Sequence, residues 1–285
     1  MKTRFAVATL AALAGLFGLT PATAAAATIG HYELCTGQGE AYLANAITAG
    51  GDTPVSITVP DATQLAGVSA LLVTNCSNGG YGAEWTTNLA AIDARVQAGM
   101  SLIFYDRTVT GANSQLPGGA GLVAVRDFGD AANIDLPASS PLLTTNGGPL
   151  TQTSLDGGTS SSHGYVTAGS LPAGGVVWAH RTAPTEAVIV AYPRGAGSVV
   201  YSTIPGDYYL SGSGPEAVRT GVLATTMALV DLKLNSFTTC AAEGFSGVKL
   251  TLCRQICEMS YNPTQLSYMI RAYVLAYRED PPCAR

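Results

Sequence analysis

The chain has 285 residues, of which 47% are hydrophobic and 12% are charged, with 33 glycines and 15 prolines. So few charges beside so many apolar residues exclude a disordered chain, and the glycine content excludes a coiled coil. The formal net charge of −5 at pH 7, without any basic cluster, argues against nucleic-acid binding.

Residues 1–24 have the pattern of a secretory signal peptide. Lys2 and Arg4 precede an apolar run over 5–19, and the small residues at 22–24 form an Ala-x-Ala cleavage site before Ala25. No later segment has the roughly 18 consecutive apolar residues that a membrane span requires. We therefore expect a secreted or periplasmic mature protein without a membrane span.

The mature chain then alternates between strand and helix patterns. Strands are predicted over 28–34, 55–59, 70–74 and 101–105, and helices over 40–49 and 88–98. Single helices between successive strands favour a parallel sheet that is covered on both faces. The fold class predicted is α/β, with a flavodoxin-like sheet in the strand order 2-1-3-4-5.

The second half of this predicted domain, residues 28–232, is less regular. Residues 108–172 are rich in Gly, Ser, Thr and Pro, and we interpret them as an elaborated insertion with short strands. Strands follow over 176–180, 187–192 and 198–204, and a helix over 215–232. The glycine turn at 194–197 joins two of these strands in a hairpin, which predicts an antiparallel edge to the sheet.

The six cysteines fall into two groups. In an exported protein an even number predicts disulfides, here three. Cys35 and Cys76 follow the first and third strands, which are neighbours in the predicted order, so we expect them to be bonded to each other. The alternative is that Cys76 is a nucleophile. The other four are Cys240, Cys253, Cys257 and Cys283.

Residues 240–285 form a separate Cys-rich tail. A short helix over 248–258 and a second helix with an apolar stripe from Leu266 to Tyr277 predict a helical hairpin. A unit this small needs disulfide bonds to be stable. Among three possible pairings we prefer Cys253 with Cys283 and Cys240 with Cys257.

The strand and helix order of 28–232, together with the segment GAGSVVYSTI at 195–204, resembles the class I glutamine amidotransferase-like superfamily, particularly its trehalose-utilisation-type branch. The tail segments LCRQIC at 252–257 and YREDPPC at 277–283 are similar to a C-terminal extension of secreted proteobacterial proteins. The resemblance implies a cysteine nucleophile on a strained turn after the strand at 101–105, and a Gly-His pair after a later strand. Here those positions read Tyr105 to Thr108 and Pro205 to Tyr208, with neither cysteine nor histidine.

Several polar residues remain as candidate binding or catalytic groups. Asp106 and Arg107 follow a strand, where an acid or an anion clamp would lie, although an ordinary ion pair is the simpler interpretation. His163 is either a general base or a structural loop residue. Asp207 and Tyr208 stand at the expected Gly-His pair. The three histidines have no metal-binding spacing, and His31 and His180 read as satisfied core or edge residues.

The loop CTGQGEA at 35–41 supports a rival interpretation. Flavodoxins hold the FMN phosphate in the loop between the first strand and the first helix, so Thr36 and Gly37 are candidate ligand-binding residues. The simpler interpretation is a glycine turn in which Thr36 or Glu40 caps the helix.

The sequence thus favours a secreted, non-enzymatic binding or interaction module without cofactor or metal, whose partner is an unknown envelope protein or glycan. The first alternative is a hydrolase that uses Asp106, His163 and Asp207. The second alternative is an FMN-binding, flavodoxin-like protein.

Overall fold

The computed structural model describes residues 26–143, 150–158, 160–232 and 263–277. The strands are β1 Thr28–Glu33, β2 Thr53–Ser56, β3 Ala70–Asn75, β4 Ser101–Asp106, β5 Ala124–Arg126, β6 Gly164–Thr167, β7 Val176–His180, β8 Glu186–Arg194 and β9 Gly197–Ser202. The helices are α1 Ala41–Ala49, α2 Ala83–Gln97, α3 Gly206–Leu210, α4 Glu216–Leu232 and α5 Pro263–Tyr277. The predicted signal peptide lies outside the described residues.

All nine strands belong to one sheet, with β2-β1-β3-β4-β9-β8-β6-β5 in order and β7 also paired with β8. The first five strands of this order are parallel. They reproduce the predicted order 2-1-3-4-5, with β9 as the fifth strand. Strands β5 to β8 pair in antiparallel fashion, so the predicted antiparallel edge is present and is wider than one hairpin.

The inner parallel strands β1, β3, β4 and β9 are buried on both faces, whereas the outer strand β2 is mostly exposed. Strands β3 and β4 are buried at every position. Successive side chains point to opposite faces, so Leu72 packs in the core layer that contains Leu43 of α1, whereas Leu71 packs in the layer that contains Trp85 of α2. Because these strands run parallel, their carboxyl ends lie at one edge of the sheet, where the following segments carry the polar residues.

Two helix starts differ from the prediction. Helix α2 begins at Ala83, five residues before the predicted start, directly after Gly82 with a φ of 72°. Glu40 occupies the N-cap of α1 but forms no side-chain capping bond. The expected caps are therefore wrong, and the Thr36 hydroxyl lies 3.5 Å from the carbonyl oxygens of Glu33 and Gln38 instead.

The second strand is also shorter than the sequence predicts. Its pairing with β1 ends at Ser56, opposite His31. The Ile57 amide still donates to the His31 carbonyl at 3.0 Å, but the following amides of Thr58 and Val59 donate to the Gln64 side chain. A local side-chain acceptor has replaced the neighbouring strand, which ends β2 before the predicted Val59.

Long-range polar contacts hold the insertion at 108–172 against the sheet. Arg181 is fully buried, and its guanidinium donates to the Asp127 carboxylate at 2.8 Å and to the Ser162 hydroxyl at 3.1 Å. The Tyr192 hydroxyl donates to the Pro117 carbonyl at 3.0 Å. Strands β5 and β6 are the short strands that we expected in this segment.

Of the predicted tail hairpin, the structure describes helix α5, in which Tyr273 is buried. The first tail helix and the four tail cysteines lie outside the described residues, so their pairing stays a prediction. None of the described helices is both long and apolar enough to cross a membrane.

The β8–β9 hairpin is confirmed, and its glycines make a close backbone contact. Gly195 has a φ of 62°, and the Ala196 amide donates to the Gln97 carbonyl at 2.9 Å. A Cβ at Gly197 would lie 2.2 Å from the carbonyl oxygens of both Val96 and Met100. The hairpin therefore fits against the end of α2 only if Gly197 has no side chain.

We expect Gly197→Ala to lower the free energy of unfolding by about 3 kcal/mol, because the clash with two backbone carbonyls forces α2 away from the sheet. Urea unfolding followed by circular dichroism measures this. Gly121→Ala is the matched control, since a Cβ at Gly121 meets nothing within 4 Å, and its effect should stay below about 0.5 kcal/mol. Equal stability of the two variants would contradict the packing described.

Candidate ligand site at the carboxyl ends of the parallel strands

A disulfide joins the loops that follow β1 and β3. Cys35 and Cys76 are bonded, with their Cα atoms 5.9 Å apart, as the predicted strand order required. Because Cys76 is half of a disulfide, the alternative in which it is a free nucleophile is wrong. The bond ties together two of the loops that border the carboxyl edge of the sheet.

At the same edge of the sheet, the residue that follows β4 forms an ion pair with the first turn of α3, which follows β9. A terminal nitrogen of Arg107 lies 2.6 Å from Oδ2 of Asp207, and the two side chains are 20% and 10% exposed. Oδ1 of Asp207 and Nε of Arg107 are buried, and neither has a hydrogen-bond partner among the described residues. The pair therefore keeps one acceptor and one donor unused.

Two further groups from β1 and α1 belong to this site. The Tyr42 hydroxyl donates to Oε1 of the buried Glu33 and lies 3.1 Å from Oγ1 of Thr74. Burial raises the pKa of Asp207 to about 6 against the opposing charge of Arg107, and the Glu33 carboxylate acts in the same direction as burial. Sequence patterns give no signal for Glu33 or Tyr42, since each looks like an ordinary residue of its strand or helix.

The His163 ring contacts the backbone of Arg107. Its Nδ1 is 3.0 Å from the Arg107 carbonyl oxygen, which can only accept, so Nδ1 carries the proton and Nε2 keeps its lone pair. Burial lowers the pKa of His163 to about 4. The imidazole is therefore neutral at pH 7 and is a weak base. These properties suit a residue that forms hydrogen bonds in the site.

Two exposed aromatic rings flank these polar residues. Tyr208 is 39% exposed, with the Arg107 guanidinium 5.9 Å from its ring centre. Phe128 is 47% exposed and contacts His163 edge to face, with the ring centres 5.0 Å apart. No sequence pattern points to Phe128, because it lies in an aperiodic loop of the insertion.

Asp106 points away from this cluster. Its carboxylate is fully buried and accepts hydrogen bonds from the hydroxyls of Tyr81 and Tyr201 at 2.7 and 2.8 Å, from the Asn75 amide and from the Thr108 backbone. Burial raises its pKa. The structure thus pairs Asp207 with Arg107 and places His163 beside Arg107. Asp106, the third residue of the hydrolase alternative, is buried against Tyr81 and Tyr201 instead.

The turn after β4 is strained. Val109 has a φ of 61°, and the Thr110 amide donates to the Thr108 carbonyl at 2.6 Å across it. This is a γ-turn of positive φ, which is rare and is costly for a β-branched residue. Val109 is fully buried. Val109 lies one position beyond Tyr105 to Thr108, the segment in which the resemblance places the turn.

The loop at 35–41 does not form a phosphate cradle. Gly37 has a φ of 64°, and its amide donates to the Glu33 carbonyl at 3.0 Å, so this N–H is already used within the turn. The acidic Glu40 occupies the helix N-terminus, where it would repel a phosphate. These contacts argue against the FMN alternative, and they make Thr36 and Gly37 turn residues.

A cavity of about 360 Å³ lies beside the site, on the α2 side of the sheet. It is formed by the loops at 78–81 and 108–115. The Thr108 hydroxyl in its wall donates to the Ser77 carbonyl at 2.8 Å, and the side-chain oxygen Oδ1 of Asn78 accepts from Arg126 at 2.9 Å. These two side chains of the wall therefore already have partners.

The other histidines lie outside the site. His180 contacts the Arg181 carbonyl at 2.6 Å through Nδ1. His31 is buried, but its Nδ1 has no partner among the described residues, so the expectation of a satisfied core histidine fails there. Within the described part of the chain, no three His, Cys, Asp or Glu side chains are grouped so that they could hold a metal ion.

No family model and no curated protein matches this chain. Solved structures similar to it include two described as cytoplasmic proteins, one from Salmonella typhimurium and one from its strain LT2. The first has 13% identity and a TM-score of 0.46, covering 70% of this chain and 98% of its own. The second has 11% identity and a TM-score of 0.49, covering 71% and 99%. A cold-adapted β-galactosidase from Rahnella sp. R3 has 13% identity and a TM-score of 0.40, covering 72% and 31%. Similarity at this level identifies neither a family nor an activity.

The pKa of Asp207 leads to a prediction about stability. A carboxyl group with a pKa above its unfolded value binds protons more tightly in the folded chain, so the free energy of unfolding falls as the pH rises between the two values. We expect the wild type to lose about 3 kcal/mol relative to Asp207→Asn between pH 3.8 and about 6. Urea unfolding of both proteins across this range measures the difference. A difference that is constant or grows with pH would contradict the burial of this carboxyl group.

Proposed function

We propose that this protein is an exported, non-enzymatic binding module on a degenerate class I glutamine amidotransferase-like scaffold, and that it binds its ligand at the carboxyl ends of the parallel strands. Export is supported by the signal-peptide pattern of residues 1–24 and by the disulfide between Cys35 and Cys76, which suits an oxidising compartment.

The observation that carries the proposal is the strained turn at Val109. The resemblance to the superfamily implies a nucleophile on a strained turn after this strand, because the strain presents the reactive atom at the edge of the sheet. Here the matching positions, Tyr105 to Thr108, hold no cysteine, and the strained residue that follows them, Val109, is a buried valine without a nucleophilic atom. A scaffold that has lost its catalytic cysteine would keep the strained turn without a nucleophile on it.

The position of the second catalytic group has changed as well. Where the resemblance implies a Gly-His pair, Asp207 forms an ion pair with Arg107, and Tyr208 is exposed. His163 comes from a different part of the chain, and its low pKa suits hydrogen bonding better than proton abstraction. The ion pair lies beside the exposed ring of Tyr208, and exposed apolar groups beside polar ones support binding.

Activity assays of the purified mature protein test whether it is non-enzymatic. We expect no glutamate above the blank from glutamine, and no hydrolysis of p-nitrophenyl esters or glycosides. Turnover that Asp207→Asn abolishes would overturn the proposal in favour of a hydrolase. Turnover that Asp207→Asn leaves intact would point to contamination, and it should then disappear on further purification.

Export has its own test. We expect N-terminal sequencing of the protein recovered from periplasm or culture medium to begin at Ala25. Recovery from the cytosol with residues 1–24 intact would contradict export without affecting the proposed binding site.

A further inference from the structure

We infer that Asn78 is a site of spontaneous deamidation, at which the Gly79 amide nitrogen attacks the Asn78 side chain and ammonia leaves. This inference goes beyond the proposed function and does not depend on it. The sequence contains two Asn-Gly pairs, at 78–79 and at 146–147, and the second lies outside the described residues. At the first pair, the contacts around the asparagine favour the reaction.

The attacking nitrogen is accessible. Asn78 and Gly79 are both exposed, in the loop that follows β3. Glycine has no Cβ, so no side chain shields its amide nitrogen from the neighbouring side-chain carbon. The Gly79 amide donates to the Ser77 hydroxyl at 3.1 Å, but this contact is itself exposed, and water can replace it. Opening of that contact leaves the nitrogen free to approach Cγ of Asn78.

The attacked carbon is activated by Arg126. A terminal nitrogen of its guanidinium donates to Oδ1 of Asn78 at 2.9 Å. A guanidinium only donates, so the amide oxygen of Asn78, not the amide nitrogen, faces it. The positive charge draws electron density from Cγ and stabilises the oxyanion that forms there when the Gly79 nitrogen attacks.

Other contacts hold Arg126 in this position. Its second terminal nitrogen donates to the carbonyl oxygen of Arg107 and, at 3.0 Å, to that of Thr108. One face of the guanidinium lies over the Phe128 ring, 5.1 Å from the ring centre. The guanidinium is therefore already oriented toward Asn78 before the reaction begins, which lowers the cost of stabilising the oxyanion.

The reaction balances with water as its sole co-reactant. The Gly79 nitrogen loses its proton and bonds to Cγ of Asn78. The bond from Cγ to the side-chain nitrogen then breaks, and that nitrogen takes up a proton and leaves as ammonia. Water opens the resulting cyclic imide at either carbonyl carbon, which gives aspartate or isoaspartate. The net change is the uptake of one water and the release of one ammonia.

The product alters the cavity on the α2 side of the sheet. Asn78 lies in the wall of that cavity, so deamidation places a carboxylate there, next to the guanidinium of Arg126. The hydrogen bond from a guanidinium to a neutral amide becomes an ion pair. The modification therefore adds one negative charge to the cavity wall.

The test is to incubate the folded, mature wild type in mildly alkaline buffer and to follow Asn78 by proteolytic digestion and tandem mass spectrometry. The same chain unfolded in urea is the reference, because it lacks the Arg126 contact. We expect Asn78 to convert to a mixture of aspartate and isoaspartate in the folded protein. An Asn78 that stays amidated in the folded protein while it converts in urea would overturn the inference.

Gly79→Ala should slow the conversion about tenfold, because the added methyl group crowds the closing ring. Gly80→Ala is the matched control and should leave the rate unchanged, since a Cβ at either glycine meets nothing within 4 Å. Ser77→Ala should speed the conversion about twofold, because it removes the competing acceptor of the Gly79 amide. Equal rates in Gly79→Ala and Gly80→Ala would overturn attack by the Gly79 nitrogen.

Arg126→Ala tests the activation. It should slow the conversion about tenfold, which is less than the loss of a donor from a buried oxyanion hole, because water partly replaces the guanidinium here. A folded Arg126→Ala variant that converts at the wild-type rate would overturn the role of Arg126. If circular dichroism shows that this variant does not fold, Arg126→Lys takes its place. It keeps the charge without the planar fork, and it should slow the conversion by a smaller factor.

Discussion

Replacing Cys35 and Cys76 together with alanine should lower the free energy of unfolding by about 4 kcal/mol. The disulfide joins residues 41 positions apart, and in the chain-entropy model a closed loop of that length restricts the unfolded chain by about this much. The Cα separation of 5.9 Å is ordinary for a disulfide, so the folded state should change little. Urea unfolding of the variant and the wild type measures the loss.

The control is to unfold both proteins in dithiothreitol, which also reduces the disulfides expected in the tail. Their stabilities should then be equal if the Cys35–Cys76 crosslink is the cause of the difference. A loss below about 1 kcal/mol without dithiothreitol would mean that the unfolded chain gains little freedom when the bond is absent. The prediction would then be wrong even though the bond exists.

Asp106→Ala should be comparably damaging, at about 4 kcal/mol. The variant leaves the buried hydroxyls of Tyr81 and Tyr201 without their acceptor, and each unsatisfied buried group costs about 1–3 kcal/mol. The vacated space adds a cavity. Thermal and urea unfolding at pH 7 measure the cost.

Asp106→Asn is the matched variant, because an amide keeps the shape and one acceptor oxygen, and it should cost about half as much or less. Burial raises the pKa of Asp106, so the wild type should lose stability relative to Asp106→Asn as the pH rises above the ordinary value of 3.8. If the wild type instead lost stability relative to Asp106→Asn as the pH fell, the burial of this carboxyl group would be contradicted.

The parallel half of the fold could be predicted because its strands are continuous apolar runs. A run such as Leu71 to Val73 must be buried on both faces, and single helices between such runs leave few topologies. The insertion could not be predicted, because it is held by distant contacts such as that between Arg181 and Asp127. No sequence pattern around either residue predicts such a contact.

The site was predictable only where a strand ends in polar residues. Arg107 and Asp207 lie at such ends, and the ion-pair interpretation given to Arg107 holds, with Asp207 in place of Asp106 as its partner. Asp106 differs because side chains alternate along β4, which turns it toward the aromatic core layer. Phe128 reaches the site from the insertion, so it could be found only from the structure.

The central claim is that the carboxyl edge of the sheet binds its ligand without transforming it. NMR spectra of a small-molecule extract of the cell envelope, recorded over hours with the wild type, test binding and turnover together. We expect the signals of at least one component to broaden with the wild type, to sharpen again with Tyr208→Ala, and to give rise to no new resonances. New resonances that grow in proportion to the wild-type concentration would contradict the claim.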